Sequence, residues 1–181
     1  MSLHKEKTGL VTGVFSSRQD AENAFESLIK RGYKADEITV LMSDDTRNKH
    51  FKDEHSDKNK ETTKLGNKSM EGAGTGSAIG GTTGAIVGAI AAAGISVALP
   101  GLGIILAGPL AGALAGAGAG GLTGGLIGAL VGAGIPKERA VRYENHIKQG
   151  DIVLGVTPHS HDDATAIQED WKTYHGEEVY H

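Results

Sequence analysis

The chain has 181 residues, a formal net charge of -4 and a pI near 6.0, so it has no overall basic field, and nucleic-acid binding would need a local basic patch. It contains no cysteine, which excludes disulfides, thiolate nucleophiles and cysteine-ligated zinc. The opening residues, MSLHKEK, lack the apolar core of a signal peptide, so synthesis and retention in the cytoplasm are expected.

Residues 1–43 carry the pattern of a β-α-β unit. The run 10–15 (LVTGVF) predicts a strand, and Ser17 stands where a helix N-cap is expected. Apolar residues at helical spacing follow, and Gly32 is placed to end that helix. The run 38–42 (ITVLM) predicts the next strand. This segment is therefore expected to be the first half of an α/β domain.

Residues 44–71 form a charged stretch with seven acidic and seven basic side chains. Only Phe51, Leu65 and Met70 are substantial apolar residues within it. A segment of this composition cannot bury enough apolar surface to build a core. It is predicted to be a linker or an exposed helix.

Residues 72–135 contain no Asp, Glu, Lys, Arg or His and hold 21 of the 28 glycines. Two helices are predicted, at 73–99 and 109–135, each about 40 Å long against a hydrocarbon layer of about 30 Å. The connection 100–109 (PGLGIILAGP) is broken by proline and is apolar throughout. It is therefore expected to stay within a bilayer or to be buried in protein.

The small residues of this block recur at every fourth position. Leucines at 110, 114, 122, 126 and 130 fall on the opposite side of the second predicted helix. Glycine weakens an isolated helix, so the pattern predicts close packing of helix backbones, as in small-xxx-small membrane pairs. A period of four also sweeps around the helix, which favours an assembly of several helices. The predicted packing residues are Gly76, Gly80, Gly84, Gly88, Gly108, Gly112, Gly116, Gly120, Gly124, Gly128 and Gly132.

Residues 136–181 carry a second set of α/β signals. Pro136 suits the first position of a helix, and Gly150 is placed to end it. A strand is predicted at 151–157 (DIVLGVT), then a helix, with a short final strand at 178–181. The segment is expected to be a helix followed by the second half of the α/β domain.

The two halves resemble each other along the chain. Asp162 or Asp163 is expected to cap the last helix, and Gly176 is expected to stop it. The same order of strand glycine, capped helix and terminal glycine occurs between Gly13 and Gly32. Two such halves predict an α+β fold, specifically a ferredoxin-like split βαβ domain interrupted by a long Gly-rich apolar helical hairpin.

Sequence patterns for chemistry are weak. The glycines do not form a nucleotide-binding loop between a strand and a helix, and no Walker-type lysine follows them. His159 and His161, beside Asp162 and Asp163, could hold a divalent metal but are more typical of an exposed polar loop. No nucleophile and base stand in a catalytic pattern, so neither catalysis nor a cofactor is expected.

Three segments carry a family resemblance: GLVTGVFSSRQDAENAFESLIKRGYKADEITVLM, ALPGLGIILAGPLAGALAGAGAGGLTGGLIGALVGAGIP and KERAVRYENHIKQGDIVLGV. Together they resemble bacterial general stress proteins of the heat-induced YflT-like type. The resemblance implies a stress-induced, non-enzymatic protein and brings no catalytic residues to this chain. The charged stretch 44–71 is longer than expected for that family.

The sequence therefore predicts a stress-related protein that self-associates through its glycine hairpins. Lysines and arginines flank the block at Lys64, Lys68, Lys137 and Arg139, so both termini are expected on the cytoplasmic side of a membrane. The expected partners are further copies of the chain and membrane lipid, not nucleic acid. One alternative is a soluble homo-oligomer or filament with the hairpins as its dry core. Another is a small-ligand or metal sensor.

Overall fold

The computed structural model describes residues 9–51, 86, 96–99, 103–116, 125–132 and 134–181, which form an α+β fold around one antiparallel sheet. The strands are β1 (Val11–Phe15), β2 (Ile38–Ser43), β3 (Ser96–Leu99), β4 (Ile104–Ala107), β5 (Ile152–Val156) and β6 (Glu177–Tyr180). The helices are α1 (Arg18–Lys30), α2 (Asp44–Phe51), α3 (Pro109–Gly116), α4 (Gly125–Gly132), α5 (Lys137–Gln149) and α6 (His161–Thr173).

Strand order in the sheet is β3-β4-β2-β5-β1-β6, and all neighbours are antiparallel. The predicted β-α-β halves are interleaved, because β5 lies between β1 and β2 while β1 lies between β5 and β6. In the pair of β1 with β5, Val11 is opposite Val156 and Phe15 is opposite Ile152. The predicted α+β class is confirmed.

One face of the sheet is covered by α1 and α6. Phe25 and Leu28 of α1, and Ile167 and Trp171 of α6, are buried in the same cluster as Phe15 of β1. The Phe15 and Trp171 rings meet edge to face, with centroids 5.7 Å apart. This face is the expected core of the two β-α-β halves.

The opposite face is covered by α3, α4 and α5. Their buried side chains pack against a second row of strand residues, which includes Val14, Leu41, Leu106 and Val153. The strands are therefore apolar on both sides, and their burial is continuous along β1 and β5. This second helix layer comes largely from the block predicted to be a separate hairpin.

The prediction of a helix at 73–99 is wrong at its end, where Ser96–Leu99 form β3. The predicted connection is also part of the sheet, because Ile104–Ala107 form β4 and pair with both β2 and β3. β-Branched residues favour a strand there, and β2 offers an edge that needs a partner. Within the second predicted helix, at 109–135, the structure describes two helices of eight residues, α3 and α4. Residues 117–124, and 73–95 apart from Ile86, lie outside the described residues.

The predicted helix ends are confirmed at Ser17, Gly32 and Gly150 but not elsewhere. Pro136 is the N-cap residue before α5 and not its first residue, and α6 ends at Thr173, before Gly176. Ser17 caps α1 by accepting a bond from the Asp20 backbone N–H, and Gly32 follows α1 with a φ of 94°. Gly150 ends α5 with a φ of 105°. The cap of α6 is Ser160, not Asp162 or Asp163, because Ser160 has extended backbone and its hydroxyl accepts from the Asp163 N–H at 3.1 Å. The two aspartates instead occupy the first turn, where the helix dipole favours negative charge.

Candidate self-association surface

The structure separates the predicted packing glycines into groups with different surroundings. Gly108, Gly112, Gly116, Gly128 and Gly132 are among the described residues. The other predicted packing glycines lie outside them: Gly76, Gly80, Gly84, Gly88, Gly120 and Gly124.

Gly108 is part of a turn against the sheet. It precedes α3 with a φ of 88°, and a Cβ atom at this position would lie 2.8 Å from the Ile38 carbonyl carbon and 2.9 Å from the Thr39 Cα. The prediction that Gly108 packs helix against helix is wrong. Its missing side chain lets the chain turn from β4 into α3 while touching the backbone of β2, and glycine alone accepts that φ without strain.

Three leucines of the block face inward, whereas the side chains of Leu114 and Leu122 lie outside the described residues. Leu110 of α3, and Leu126 and Leu130 of α4, are buried in the cluster on the second face of the sheet. The sheet therefore covers these three leucines within one chain, with no need for lipid or a partner. The two helices have eight residues each. Among the described helices, none has the length and apolar character that crossing a bilayer requires.

Two glycines of the block face outward. Gly112 of α3 and Gly132 of α4 are exposed, and a Cβ atom at either position would meet no heavy atom of the described residues within 4 Å. Val131 of α4 and Val141 of α5 are 43% and 38% exposed, and they are the large exposed apolar side chains of the described residues. We call these four residues the outer helix surface. It combines bare backbone with apolar side chains on the solvent side of the second helix layer.

Helix α5 is fixed to the sheet beneath this surface by a buried polar pair. The Tyr143 hydroxyl lies 2.6 Å from the Thr12 Oγ1 atom of β1. Burial of Tyr143 raises its pKa to about 12, because the charged phenolate would lose its hydration. The Tyr143 hydroxyl therefore stays neutral and available for this bond.

The far end of the sheet is held by two arginines of α5. Arg142 Nη1 donates to Glu178 Oε1 and to the Tyr180 hydroxyl, both at 3.2 Å. The Arg139 guanidinium lies 4.2 Å from the centroid of the Tyr180 ring. These contacts attach β6 to α5, so the side chains involved hold the edge of the sheet in place.

The structure does not bring the two candidate metal ligands together. The His159 ring stacks on Tyr33 with centroids 4.2 Å apart, whereas the His161 ring lies beside His181 at 5.5 Å. No cluster of three or more His, Cys, Asp or Glu residues suited to a metal occurs in the part of the chain that the structure describes.

Tyr33 joins α1 to the start of α6. Its hydroxyl donates to the Asp163 carboxylate and accepts from the His159 backbone N–H at 3.0 Å. Burial, followed by the bond to Asp163, raises the pKa of Tyr33 to about 12. Arg31 strengthens the same junction, with its Nη2 atom 2.7 Å from the Asp170 carboxylate. The predicted exposed loop is confirmed at His159, which is exposed while its ring stacks on Tyr33.

The sequence patterns described above do not single out one buried charged residue, Glu22. Glu22 of α1 is 2% exposed and lies 3.6 Å from Arg18, one helical turn away. An acidic residue among core positions of an otherwise amphipathic helix is the pattern that could have indicated it.

Comparison of the chain with protein-family models, with characterised proteins and with solved structures finds no match.

Proposed function

We propose that this chain is a non-enzymatic protein that self-associates through its outer helix surface. The observation that carries the proposal is the orientation of α3 and α4: Leu110, Leu126 and Leu130 face the sheet, and the exposed Gly112 and Gly132 face outward. The exposed backbone at Gly112 and Gly132 is available to a second helix. None of the described residues fills the space beside these two glycines.

The energetic argument concerns what these glycines contribute. A glycine in a helix interior costs about 1 kcal/mol relative to alanine. Among the described residues nothing packs against the bare side of Gly112, so they offer no compensating contact. Close approach of another helix would supply dispersion contacts and Cα–H···O bonds. A second copy presents the same apolar surface, as isologous interfaces require.

We further propose that the supporting domain is of the ferredoxin-like type. The strand order β2-β5-β1-β6, with α1 and α6 on one face, supports this assignment. In this view β3 and β4 extend one edge of the sheet, and α3 to α5 form a second helix layer. The added parts then carry the self-association surface.

A stress-related role is proposed from the resemblance of the sequence alone. Assembly between copies is the arrangement that the inward leucines favour, because these side chains need no lipid. The charge-free sequence 72–135 supports a second proposal, a membrane-associated scaffold. In that case the contacts with lipid would come largely from residues outside the described ranges.

Substitution of the exposed glycines tests the proposal. Gly112→Leu and Gly132→Leu have space in the single chain, so we expect unchanged circular dichroism but loss of the oligomer in sedimentation velocity. Thr165→Leu places the same side chain on an exposed site of α6, across the sheet, and should leave assembly intact. Wild-type sedimentation as a monomer, or normal assembly of both glycine variants, would remove the proposal. Flotation with lipid vesicles separates the scaffold from the soluble oligomer.

A further inference from the structure

The strand β6 lies at one edge of the sheet and is held by residues from earlier in the chain. It is last in the strand order and pairs with β1, where Thr12 is opposite Tyr180. From the helix layer, Arg142 of α5 donates to Glu178 and to Tyr180. Both β1 and α5 precede the turn that leads into β6. Another copy of the chain therefore presents the same contacts to this strand.

The turn between α6 and β6 is short and strained. Thr173 ends α6 and Glu177 begins β6, so residues 174–176 connect the two. His175 has a φ of 57°, in the left-handed region that side chains disfavour. The Gly176 N–H donates to the Trp171 carbonyl at 2.7 Å, and a Cβ atom on Gly176 would lie 2.6 Å from that oxygen. Local strain and crowding therefore oppose closure of this turn within one chain.

A bulge in β6 limits which strand can occupy this edge of the sheet. One residue of β1, Gly13, faces two residues of β6, Glu178 and Val179, between the cross-strand pairs. Glu178 has a φ of 46°, a conformation that glycine usually supplies in such a bulge. Its carboxylate lies 3.2 Å from Arg142 Nη1. The surface formed by β1 and α5 therefore fits a strand with an acidic residue at the bulge, which is the sequence of β6 itself.

We propose that two copies of the chain exchange β6, so that β6 of each copy lies against β1 and α5 of the other. The exchanged dimer keeps the pairing with β1 and the contacts with Arg142, while residues 174–176 extend instead of turning. Short strained connections favour such exchange, because opening them removes strain that the closed monomer retains. The inference does not rest on the outer helix surface, since neither Gly112 nor Gly132 takes part in the exchange.

Cysteine cross-linking tests the exchange, and the chain has no cysteine of its own to interfere. A Cβ atom on Gly9, before β1, would lie 3.9 Å from the ring of His181, after β6, and both residues are exposed. Chains with Gly9→Cys and chains with His181→Cys are unfolded together, refolded at high concentration and oxidised. We expect a disulfide-linked heterodimer. Its absence, when a chain carrying both substitutions cross-links internally after dilute refolding, would overturn the proposal.

Thr165→Cys is the matched control for His181→Cys. It places an exposed thiol on α6, whereas among the described residues only His181 has atoms within 4 Å of a Cβ atom on Gly9. A mixture of Gly9→Cys and Thr165→Cys chains should give little heterodimer, and equal yields from the two mixtures would contradict the exchange. Adding Gly112→Leu to both chains should leave the heterodimer yield unchanged. This result separates strand exchange from association through the outer helix surface.

Two substitutions in the turn should shift the monomer–dimer equilibrium in opposite directions. His175→Gly removes the strained φ from the closed turn, so the Kd of the exchanged dimer should rise at least about tenfold, because each dimer has two such turns. The side chain of His175 is 83% exposed, so its removal takes away little packing. Gly176→Ala crowds the closed turn against the Trp171 carbonyl and should lower the Kd.

Sedimentation velocity of both turn variants, in chains that also carry Gly112→Leu, measures these shifts. A Kd that His175→Gly leaves unchanged or lowers would overturn the proposal. Should Gly176→Ala fail to fold, the His175→Gly result and the heterodimer yield still decide between exchange and a closed monomer.

Discussion

Gly13 and Gly155 occupy corresponding places in the two β-α-β halves, yet their surroundings differ. A Cβ atom at Gly13 would lie 2.7 Å from the Cε3 atom of the Trp171 ring. At Gly155 it would meet its nearest neighbours, which include Thr12 and Thr39, at 3.6 Å. Only Gly13 is therefore required by packing, because it makes room for the indole that fills the core between β1 and α6.

The pair provides a test in which one variant controls for the other. We expect Gly13→Ala to lower the free energy of unfolding by about 1–3 kcal/mol, the usual effect of overpacking a core. Gly155→Ala should change it by less than about 1 kcal/mol, since 3.6 Å is ordinary van der Waals contact. Urea denaturation followed by tryptophan fluorescence measures both, and equal losses would show that the Trp171 contact is not the cause.

Three helix ends could be predicted from residue type and position in the sequence. Ser17, Gly32 and Gly150 are such cases, and each is confirmed. The α6 cap was assigned wrongly because Asp162 and Asp163 compete with Ser160 for the same role. Which of them caps depends on where the backbone leaves the extended conformation, a property that residue type leaves open.

At the scale of elements, β1, α1, β2, α5, β5 and α6 follow from alternating and helical patterns, whereas β3 and β4 do not. The apolar block lacks any change of polarity that would mark a strand within it. The sequences of the predicted strands hold the informative signal. They are apolar at nearly every position, which is typical of strands covered on both faces: LVTGVF, ITVLM and DIVLGVT. Such strands require a second helix layer, and the glycine-rich block supplies it.

The interval of four residues does not distinguish glycines that have different surroundings in the structure. Gly108 and Gly112 are one step apart in the ladder, but the first is in a turn against β2 and the second is exposed on α3. The path of the backbone, and not the interval of four, determines which of them needs the absence of a side chain.

Alanine substitution distinguishes these two glycines. Gly108→Ala forces a non-glycine residue into a positive φ against the β2 backbone, so a loss of about 2–5 kcal/mol in the free energy of unfolding is expected. Gly112→Ala should stabilise the isolated chain by up to about 1 kcal/mol through helix propensity. Thermal denaturation of both variants under conditions that keep the chain monomeric gives the comparison. Similar Tm values for the two variants would refute the difference in surroundings.

For the molecule as a whole, two buried tyrosines make stability depend on alkaline pH. The pKa values of Tyr33 and Tyr143 are raised from 10 to about 12 in the folded chain, chiefly by burial. Between these values the unfolded chain has lost protons that the folded chain keeps. Stability contributed by these groups is complete below pH 10 and is lost as the pH rises toward 12.

Tyr143→Phe should therefore reduce the slope of unfolding free energy against pH in this window by up to one proton. Lysine titration affects the wild type and the variant alike, so the difference between them isolates the tyrosine. Guanidinium denaturation at several pH values between 10 and 12 provides the measurement. Parallel pH profiles for the two proteins would mean that the Tyr143 pKa is not raised by folding.

The strand order has a further consequence for how the chain acquires this structure during translation. β1 pairs only with β5 and β6 among the described strands, so its hydrogen-bonding partners emerge from the ribosome more than a hundred residues later. Such long-range pairing slows folding and leaves apolar surfaces uncovered meanwhile. Until Ile152–Val156 is made, the first β-α-β half has no central strand to join its two outer ones, so the hydrogen-bonding edge of β1 stays unpaired until late in translation.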